Sequence, residues 1–211
     1  MVGNTTFTAT EFLKSITNQG TMAEVTTPFI GLLTAVASDA GSVTEAAYTS
    51  YAREAATFNA PTGTQPVTVS NSGSISFPIC TNTGTAVVET EIAFGLYDAS
   101  SGGDLLTWDY LGGTSWFPFD CSLASPGVFT CNGTTLTNGQ QIALTTRFGG
   151  TLPTGLSQYT LYTVAGVSGN TFNVGVNTSS IGDGMLKVVV PQSIVPGSQP
   201  VINSGSLVIG S

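Results

Sequence analysis

Histidine is absent from this chain of 211 residues, and charged residues are scarce, with four Lys and Arg and twelve Asp and Glu. Histidine is the commonest general base and a frequent metal ligand, so its absence excludes Ser-His-Asp and Cys-His catalytic sites within one chain. The three cysteines without a histidine do not make a zinc site either. We therefore expect no enzymatic activity, no bound cofactor and no metal.

Positive charge is also too sparse for a nucleic-acid-binding face. The four cations, Lys14, Arg53, Arg147 and Lys187, are scattered along the chain, and the net charge is −8. Neutralising a phosphate backbone requires clustered Lys and Arg. The sequence therefore predicts no nucleic-acid partner.

Long hydrophobic runs are missing as well. No apolar stretch approaches the roughly 20 residues that a membrane-spanning helix needs. The start, from Met1 to Thr5, has neither a basic region nor an apolar run, so we expect no signal peptide and no membrane partner. Synthesis in a cytosol follows from this interpretation.

Hydrophobic residues, at 41% of the chain, are close to the ordinary share, and Gly, Ser and Thr are abundant. The apolar runs persist along the whole chain, which favours a folded core over disorder. Exposed charge normally discourages association, and here only 8% of the residues are charged. The sequence thus favours a protein that buries much of its surface in an assembly.

The hydrophobic pattern predicts a mainly β protein with one short helix. Thr8 and Glu11 have the spacing of a capping box, so the helix is predicted over residues 9–18. Apolar or alternating runs predict strands at Phe29–Val36, Val87–Tyr97 and Leu105–Tyr110, and a hairpin of Val67–Val69 with Ser74–Phe77. Short strands with Gly-rich turns are typical of an antiparallel β-sandwich or barrel.

The three cysteines are interpreted as free thiols. Cys80 lies in an apolar strand and is expected to be buried. Cys121 and Cys131 flank a Ser-Pro-Gly turn and would face each other across a hairpin. A disulfide between them is the alternative, although such bonds are rare in a reducing cytosol.

Three groups of charged residues are candidates for chemistry. Glu89 and Glu91 share one face of a strand, where solvent exposure is the simpler expectation. Asp98 and Asp104 bracket a Ser-Ser-Gly-Gly turn, which favours a plain turn over a calcium loop. Arg53 is expected to pair with a carboxylate other than its neighbour Glu54, because an isolated buried cation is costly.

An ordered set of segments in the first half of the chain resembles a family of small bacteriophage virion proteins with tail-fibre-like or head-decoration functions. The segments are Thr27–Ala35, Tyr51–Phe58, Ile75–Pro78, Ile92–Ala99 and Gly102–Leu106. The resemblance implies a structural building block of a particle, made in the cytoplasm of a bacterial host.

A second resemblance covers the region after Gly112-Gly113. These segments are similar to a small β module that recurs in phage tail and capsid proteins: Val128–Cys131, Leu136–Ile142, Gly150–Leu156, Tyr159–Val164 and Asn170–Val174. In the resembling family the closing strands follow sooner, whereas here they resume at Met185. The predicted organisation is a discontinuous β-sandwich body, 1–112 and 185–211, with an inserted β domain, 113–184.

The sequence favours a capsid decoration, or cement, protein on the capsid exterior, because no coiled-coil or collagen-like shaft is present. The expected partners are the major capsid protein and further copies of the chain. The alternative is a tail fibre or baseplate-associated protein that contacts other tail proteins or a host surface glycan. A glycan-binding or glycan-cleaving module is a third class.

Four aromatic residues are the candidates for contacts between subunits: Phe7, Trp116, Phe117 and Phe119. Aromatic residues are enriched at interfaces, although core packing is the alternative for the last three. The N-terminal arm, residues 1–8, and the Pro-spaced tail, residues 190–200, are expected to extend across neighbouring subunits.

Overall fold

The apolar runs of the sequence form strands throughout the computed structural model. The structure describes residues 3–21, 24–38, 42–64, 67–113, 115–147 and 150–210. They divide into two compact units, one of Met1–Leu111 with Gln192–Ser211 and the other of Gly112–Pro191. Over these described ranges the protein is mainly β with one short helix, which confirms the predicted fold class.

The first unit contains the helix and twelve of the strands found in the described ranges. They are β1 (Gly3–Asn4), α1 (Thr6–Ile16), β2 (Phe29–Val36), β3 (Val43–Glu45), β4 (Glu54–Ala55), β5 (Thr68–Ser70), β6 (Ile75–Ser76), β7 (Glu89–Glu91), β8 (Ala93–Tyr97), β9 (Leu105–Tyr110), β17 (Gln192–Ile194), β18 (Val201–Ile202) and β19 (Val208–Gly210). The strands between β9 and β17 belong to the second unit: β10 (Phe117–Cys121), β11 (Phe129–Cys131), β12 (Gln141–Thr145), β13 (Leu161–Thr163), β14 (Ala165–Ser168), β15 (Thr171–Asn173) and β16 (Gly182–Val189).

An antiparallel sheet of order β1-β9-β8-β2-β3, with β4 also paired to β2, forms the main layer of the first unit. The most apolar run, β2, is central to it and pairs with β8, β3 and β4. A core of buried residues lies between this sheet and the small strand pairs, with Ile30 and Phe94 from the sheet and Ile75, Ile194 and Leu207 from the pairs. The first unit therefore has two layers, with apolar side chains packed between them.

The predicted hairpin of Val67–Val69 with Ser74–Phe77 is wrong. β5 pairs with β19 and β6 pairs with β18, so both strands take their partners from the C-terminal end of the chain. Asn71 explains the change: it is fully buried, its amide nitrogen donates to Asn203 O at 2.9 Å, and its amide oxygen accepts from Leu207 N at 2.9 Å. A turn residue therefore holds a distant segment.

The tail predicted to reach a neighbouring subunit also pairs within its own unit. β17 pairs with β7, Ser198 O accepts from Cys80 N at 2.9 Å, and Pro200 O accepts from Phe77 N at 3.0 Å. The arm behaves in the same way from residue 3 onwards, because β1 pairs with β9, while residues 1 and 2 lie outside the described ranges. Neither segment is a free extension within the part of the chain that is described.

The helix begins three residues earlier than predicted, at Thr6 rather than residue 9, and ends at Ile16. Thr5 is the N-cap, and its hydroxyl oxygen accepts from Thr8 N at 3.4 Å. Glu11 does not reach back to a cap, because it pairs with Lys14 at 2.8 Å. None of the described helices is long and apolar enough to cross a membrane.

The second unit is one seven-stranded antiparallel sheet of order β13-β12-β16-β10-β11-β15-β14. Its two edge strands, β13 and β14, are separated in sequence by Val164 alone, so the sheet must curl until its edges nearly meet. Phe129, Ile142, Phe172 and Leu186 fill the interior. Such closure removes exposed edges, as in a barrel.

The boundary of the second unit differs from the predicted insert. β16 begins at Gly182; its residues 182–186 pair with β10, and its residues 185–189 pair with β12. The predicted body includes the run from Met185 to Val190 as a closing strand, whereas in the structure residues 185–189 pair inside the second unit. That unit ends at Pro191, and the first unit resumes at Gln192.

Candidate functional site

Helix α1 is attached to β9 of its own unit through hydroxyl groups. Thr5 Oγ1 donates to Leu105 O at 2.6 Å, and Thr8 Oγ1 donates to Leu106 O at 2.6 Å. Phe7 is half-buried and lines a groove of about 390 Å³ that also includes Arg53 and Tyr97. The predicted contact residue Phe7 therefore lies against its own unit.

The helix also presents three apolar side chains to solvent. Phe12, Leu13 and Ile16, here called the helix face, are 54%, 56% and 62% exposed. No described residue of the helix is buried. An isolated helix of 11 residues is marginal in water, and helices in proteins are normally stabilised by burying such a face. The helix face is therefore a candidate assembly surface.

Arg53 lies at the centre of a polar network beside the groove. Its Nε donates to Glu45 Oε1 and its Nη2 to Glu45 Oε2, both at 2.8 Å. Its Nη1 donates to Ala99 O at 3.0 Å and to Gly102 O at 2.6 Å, and the guanidinium lies 3.4 Å from the centre of the Tyr97 ring. The prediction that Arg53 pairs with a carboxylate other than Glu54 is confirmed.

Glycine at position 31 makes room for this network. A Cβ there would lie 2.9 Å from both Glu45 Oε1 and a Tyr97 ring carbon, and 3.1 Å from the Tyr51 hydroxyl. That hydroxyl donates to Glu45 Oε1 at 2.7 Å and accepts from Leu32 N at 2.9 Å. Burial, followed by the bond to Glu45, raises the pKa of Tyr51, so it stays protonated and donating. The network joins the turn after β8 to the centre of the sheet and supports the fold.

The aromatic segment from Trp116 to Phe119 belongs to the second unit. Phe119 is 2% exposed and its ring lies 5.1 Å from that of Phe129, so it is a core residue and not a contact residue. Phe117 is half-buried against the same core. Trp116 is half-buried, with the ammonium of Lys187 6.0 Å from the centre of its ring. Of the predicted contact residues in this segment, Trp116 and Phe117 keep some exposed surface.

Lys187, one of the four cations of the sequence, is fully buried in β16, opposite Ala143 of β12.

The cysteines are all free and buried, and burial raises the pKa of Cys121 and Cys131. The register of β10 and β11 pairs Cys121 with Phe129 and Cys131 with Phe119, so the two thiols do not face each other directly.

Glu91 departs from the expectation of solvent exposure. It is 1% exposed, and both of its carboxyl oxygens are buried. Burial, then the charge of Glu89, then a side-chain hydrogen bond with Glu89 raise the pKa of Glu91 to about 8. Glu89 is only half-buried, and its carboxylate accepts from the backbone N of Tyr48 at 2.9 Å and of Ala47 at 3.1 Å. The two acids therefore differ in burial and in their surroundings.

The turn between Asp98 and Asp104 is held by its own side chain, because Asp98 Oδ1 accepts from Asp104 N at 2.7 Å. Among the residues that the structure describes, no three metal-ligating side chains come together.

Sequence reasoning missed two exposed apolar surfaces. The first is the helix face, whose three residues are each more than half exposed. In the second unit, Val128 and Ile181 are exposed on either side of Ser122: Ser122 N donates to Val128 O at 2.9 Å, and the adjoining Cys121 pairs with Gly182. A run of Val or Ile beside Gly and Ser gives no local signal of exposure, because the same residues also form buried strands.

Comparison with known proteins gives one family match. A family model described as podophage GP4 fiber I protein gp80 matches residues 3–114, just over half of the chain. The match covers the continuous part of the first unit and ends just inside the second. The comparison with curated proteins returned no match.

Proposed function

Because this chain belongs to the family of the podophage GP4 fiber I protein gp80 and is a phage structural protein, we propose that it is a non-enzymatic subunit of a virion fibre. The family match carries the choice of a fibre. Its partners in this proposal are further copies of itself and other tail proteins.

The helix face supports self-association. Phe12, Leu13 and Ile16 lie within two turns of one helix, and each leaves more than half of its side chain in water. Burying three such side chains yields about 1.5 to 3 kcal/mol for each one that becomes fully covered. Few charges oppose such a contact, since the only charged residues of the helix, Glu11 and Lys14, neutralise each other at 2.8 Å. Most oligomers of soluble proteins are built from identical copies.

The second unit, which lies almost wholly beyond the matched segment, is proposed to be a surface module on the fibre. Its exposed Val128 and Ile181 support a contact with another protein or a host surface. A glycan-binding function would instead place the contact at half-buried Trp116 and Phe117, because sugar rings stack on aromatic side chains.

The oligomeric state tests the assembly surface. Sedimentation equilibrium of the purified chain should show a homo-oligomer, and the double variant Leu13→Asp with Ile16→Asp should be monomeric. Thr10→Asp is the matched control, because Thr10 is also exposed on the helix but lies outside the helix face. A wild type that is monomeric at all accessible concentrations would contradict the role of the helix face.

The position on the particle tests the fibre. Antibody labelling of purified virions by electron microscopy should mark projecting fibres in few copies. Labelling spread over the whole head, together with loss of heat resistance when the protein is removed, would instead favour the capsid decoration function predicted from the composition.

A further inference from the structure

The sequence contains two Asn-Gly pairs, Asn132-Gly133 and Asn138-Gly139, and both are exposed in the second unit. The first pair directly follows β11, and the second lies in the turn before β12. In each pair the glycine has a positive φ, 92° for Gly133 and 89° for Gly139, which residues with a side chain rarely adopt. The two pairs therefore share their residue types, their exposure and the backbone conformation of the glycine.

An Asn-Gly pair can convert the asparagine amide into a carboxylate without an enzyme. The backbone nitrogen of the glycine loses its proton to solvent and attacks the side-chain carbon Cγ, which forms a C–N bond, and the side-chain nitrogen leaves as ammonia. Water then adds to either carbonyl carbon of the resulting cyclic succinimide and opens the ring to aspartate or isoaspartate. Glycine favours the attack because it has no Cβ to hinder the approach. The net change replaces the amide nitrogen with an oxygen from water.

At Asn138-Gly139 the attacking nitrogen is already engaged in a hydrogen bond. Gly139 N donates to Val164 O at 2.8 Å, and Val164 N donates to Gln140 O at 2.8 Å. Val164 is 1% exposed, so the turn is bonded to a buried residue. The side chain is held as well, because Asn138 Oδ1 accepts from Val167 N at 3.0 Å. Attack by Gly139 N would break its bond and leave the carbonyl group of a buried residue without a donor, which has a free-energy cost.

At Asn132-Gly133 the attacking nitrogen has no such bond. Among the residues that the structure describes, none accepts a hydrogen bond from Gly133 N. Both residues are exposed, so solvent can take up the proton that the nitrogen loses. Asn132 Oδ1 accepts from Asn170 Nδ2 at 2.7 Å, and this donor stabilises the negative charge that develops on the oxygen during the attack. Both asparagine side chains thus have a donor on Oδ1, and the two pairs differ in the glycine nitrogen.

We propose that Asn132 is a site of spontaneous deamidation in the folded protein, whereas Asn138 is protected although it also precedes a glycine. An aspartate at position 132 can still accept from Asn170 Nδ2, while an isoaspartate lengthens the backbone of the turn. A Cβ on Gly133 would lie 3.7 Å from Phe117 Cδ1, so the turn lies beside that aromatic ring. The modification therefore adds a negative charge close to Phe117, one of the predicted contact residues. The inference is independent of the fibre assignment.

The test is incubation of the full chain at pH 8.5 in isotopically labelled water, followed by peptide mass spectrometry. Chymotrypsin cleaves after Phe129, Leu136 and Leu144, so each Asn-Gly pair is found in its own peptide, 130–136 or 137–144. The labelled oxygen enters during the incubation alone, which excludes reaction during the digest. Peptide 130–136 should take up the label and separate into an aspartate and an isoaspartate form. Peptide 137–144 should take it up at least tenfold more slowly.

The chain unfolded in guanidinium chloride is the matched control, because it keeps both Asn-Gly pairs and loses the bond between Gly139 N and Val164 O. In this state the two peptides should take up the label at similar rates. The folded chain is incubated well beyond the time at which both peptides have reacted in the unfolded chain. Equal rates for the two pairs in the folded chain, or a folded chain in which Asn132 does not react, would overturn the proposal.

Variants at position 132 identify the reacting group. Asn132→Gln has a side chain that is one carbon longer and closes a ring far more slowly, so its peptide should stay unlabelled while Asn138 behaves as in the wild type. Asn132→Asp supplies the reference peptide with which the aspartate product should co-elute. The rate at Asn132 should also rise with pH, because the backbone nitrogen must lose its proton. Label uptake by peptide 130–136 of Asn132→Gln, or a rate independent of pH, would contradict the assignment.

Discussion

At the scale of single residues, two acids of the first unit show how environment decides the role of a side chain. Glu45 is partly exposed, and its carboxylate accepts three hydrogen bonds. Two of them come from the Arg53 guanidinium and one comes from the Tyr51 hydroxyl. Glu91 is buried, and burial together with the neighbouring Glu89 raises its pKa. The first carboxyl group therefore stabilises the fold as an anion, and the second lies in a site that favours its protonated form.

Arg53→Ala is expected to destabilise the first unit by about 2 kcal/mol, because Glu45 keeps its charge while two backbone carbonyl groups lose their donor. Arg53→Lys should recover only part of this, since an ammonium cannot form the bidentate pair. Lys14→Ala removes an exposed pair in the same unit and should cost less than about 1 kcal/mol. Urea denaturation followed by circular dichroism measures all three, and equal costs for Arg53→Ala and Lys14→Ala would refute the structural role of the network.

Glu91 is expected to make stability fall as the pH rises. Its pKa is about 8 in the folded chain against an ordinary value of 4.5, so the folded state binds the proton more tightly. The stabilisation is present below about pH 4.5 and is lost as the pH rises towards 8. The free energy of unfolding of Glu91→Gln, measured by urea titration from pH 5 to 9, should lack this decline, while Glu24→Gln should retain it. An identical pH dependence in wild type and Glu91→Gln would show that the carboxyl group titrates normally.

At the scale of secondary-structure elements, the C-terminal strands complete the first unit. β17, β18 and β19 each pair with a strand from the first half of the chain, and Ile194 and Leu207 enter its core. Asn71 fixes this arrangement, because its side chain bonds to Asn203 and Leu207, the latter 136 residues away in sequence. The matched segment of the family therefore folds with help from residues beyond it.

Asn71→Ala is expected to cost about 2 to 3 kcal/mol, because it leaves the buried Leu207 N and the part-buried Asn203 O without their partner. Asn59→Ala is the control, since Asn59 makes an exposed side-chain bond to Ser70 Oγ at 3.0 Å and should cost about 0.5 kcal/mol. Hydrogen exchange of the amides of residues 201–209 should accelerate in Asn71→Ala alone. Unchanged protection of these amides would contradict the anchoring role.

At the scale of the whole molecule, the chain consists of two units with separate cores, and the second is inserted into the first between Leu111 and Gln192. The curled sheet of the second unit takes all its strand partners from within Gly112–Pro191. That self-sufficiency predicts independent folding.

The isolated fragment 112–191 is expected to fold and unfold cooperatively, and the chain in which a short Gly-Ser linker replaces it should keep a folded first unit. Circular dichroism and dispersed NMR spectra measure both. Alkylation gives an independent readout, because Cys121 and Cys131 are buried and should react in the folded fragment only after denaturant is added. A disordered fragment, or a first unit that unfolds without it, would contradict the two-unit description.

The sequence by itself determined the class of the protein and the bounds of its strongest strands. The absence of histidine and the scarcity of charge are properties of composition, and the apolar runs at Phe29–Val36 and Leu105–Tyr110 form strands over those residues because local pattern is sufficient there. The tertiary structure alone decided which strands pair. β5 and β6 look like a hairpin locally but bind strands more than 120 residues away, since Asn71 and the apolar residues near the C-terminus are satisfied together. The same holds for burial: Glu91, Phe119 and Lys187 carry no local mark of it, because what covers them comes from distant parts of the chain.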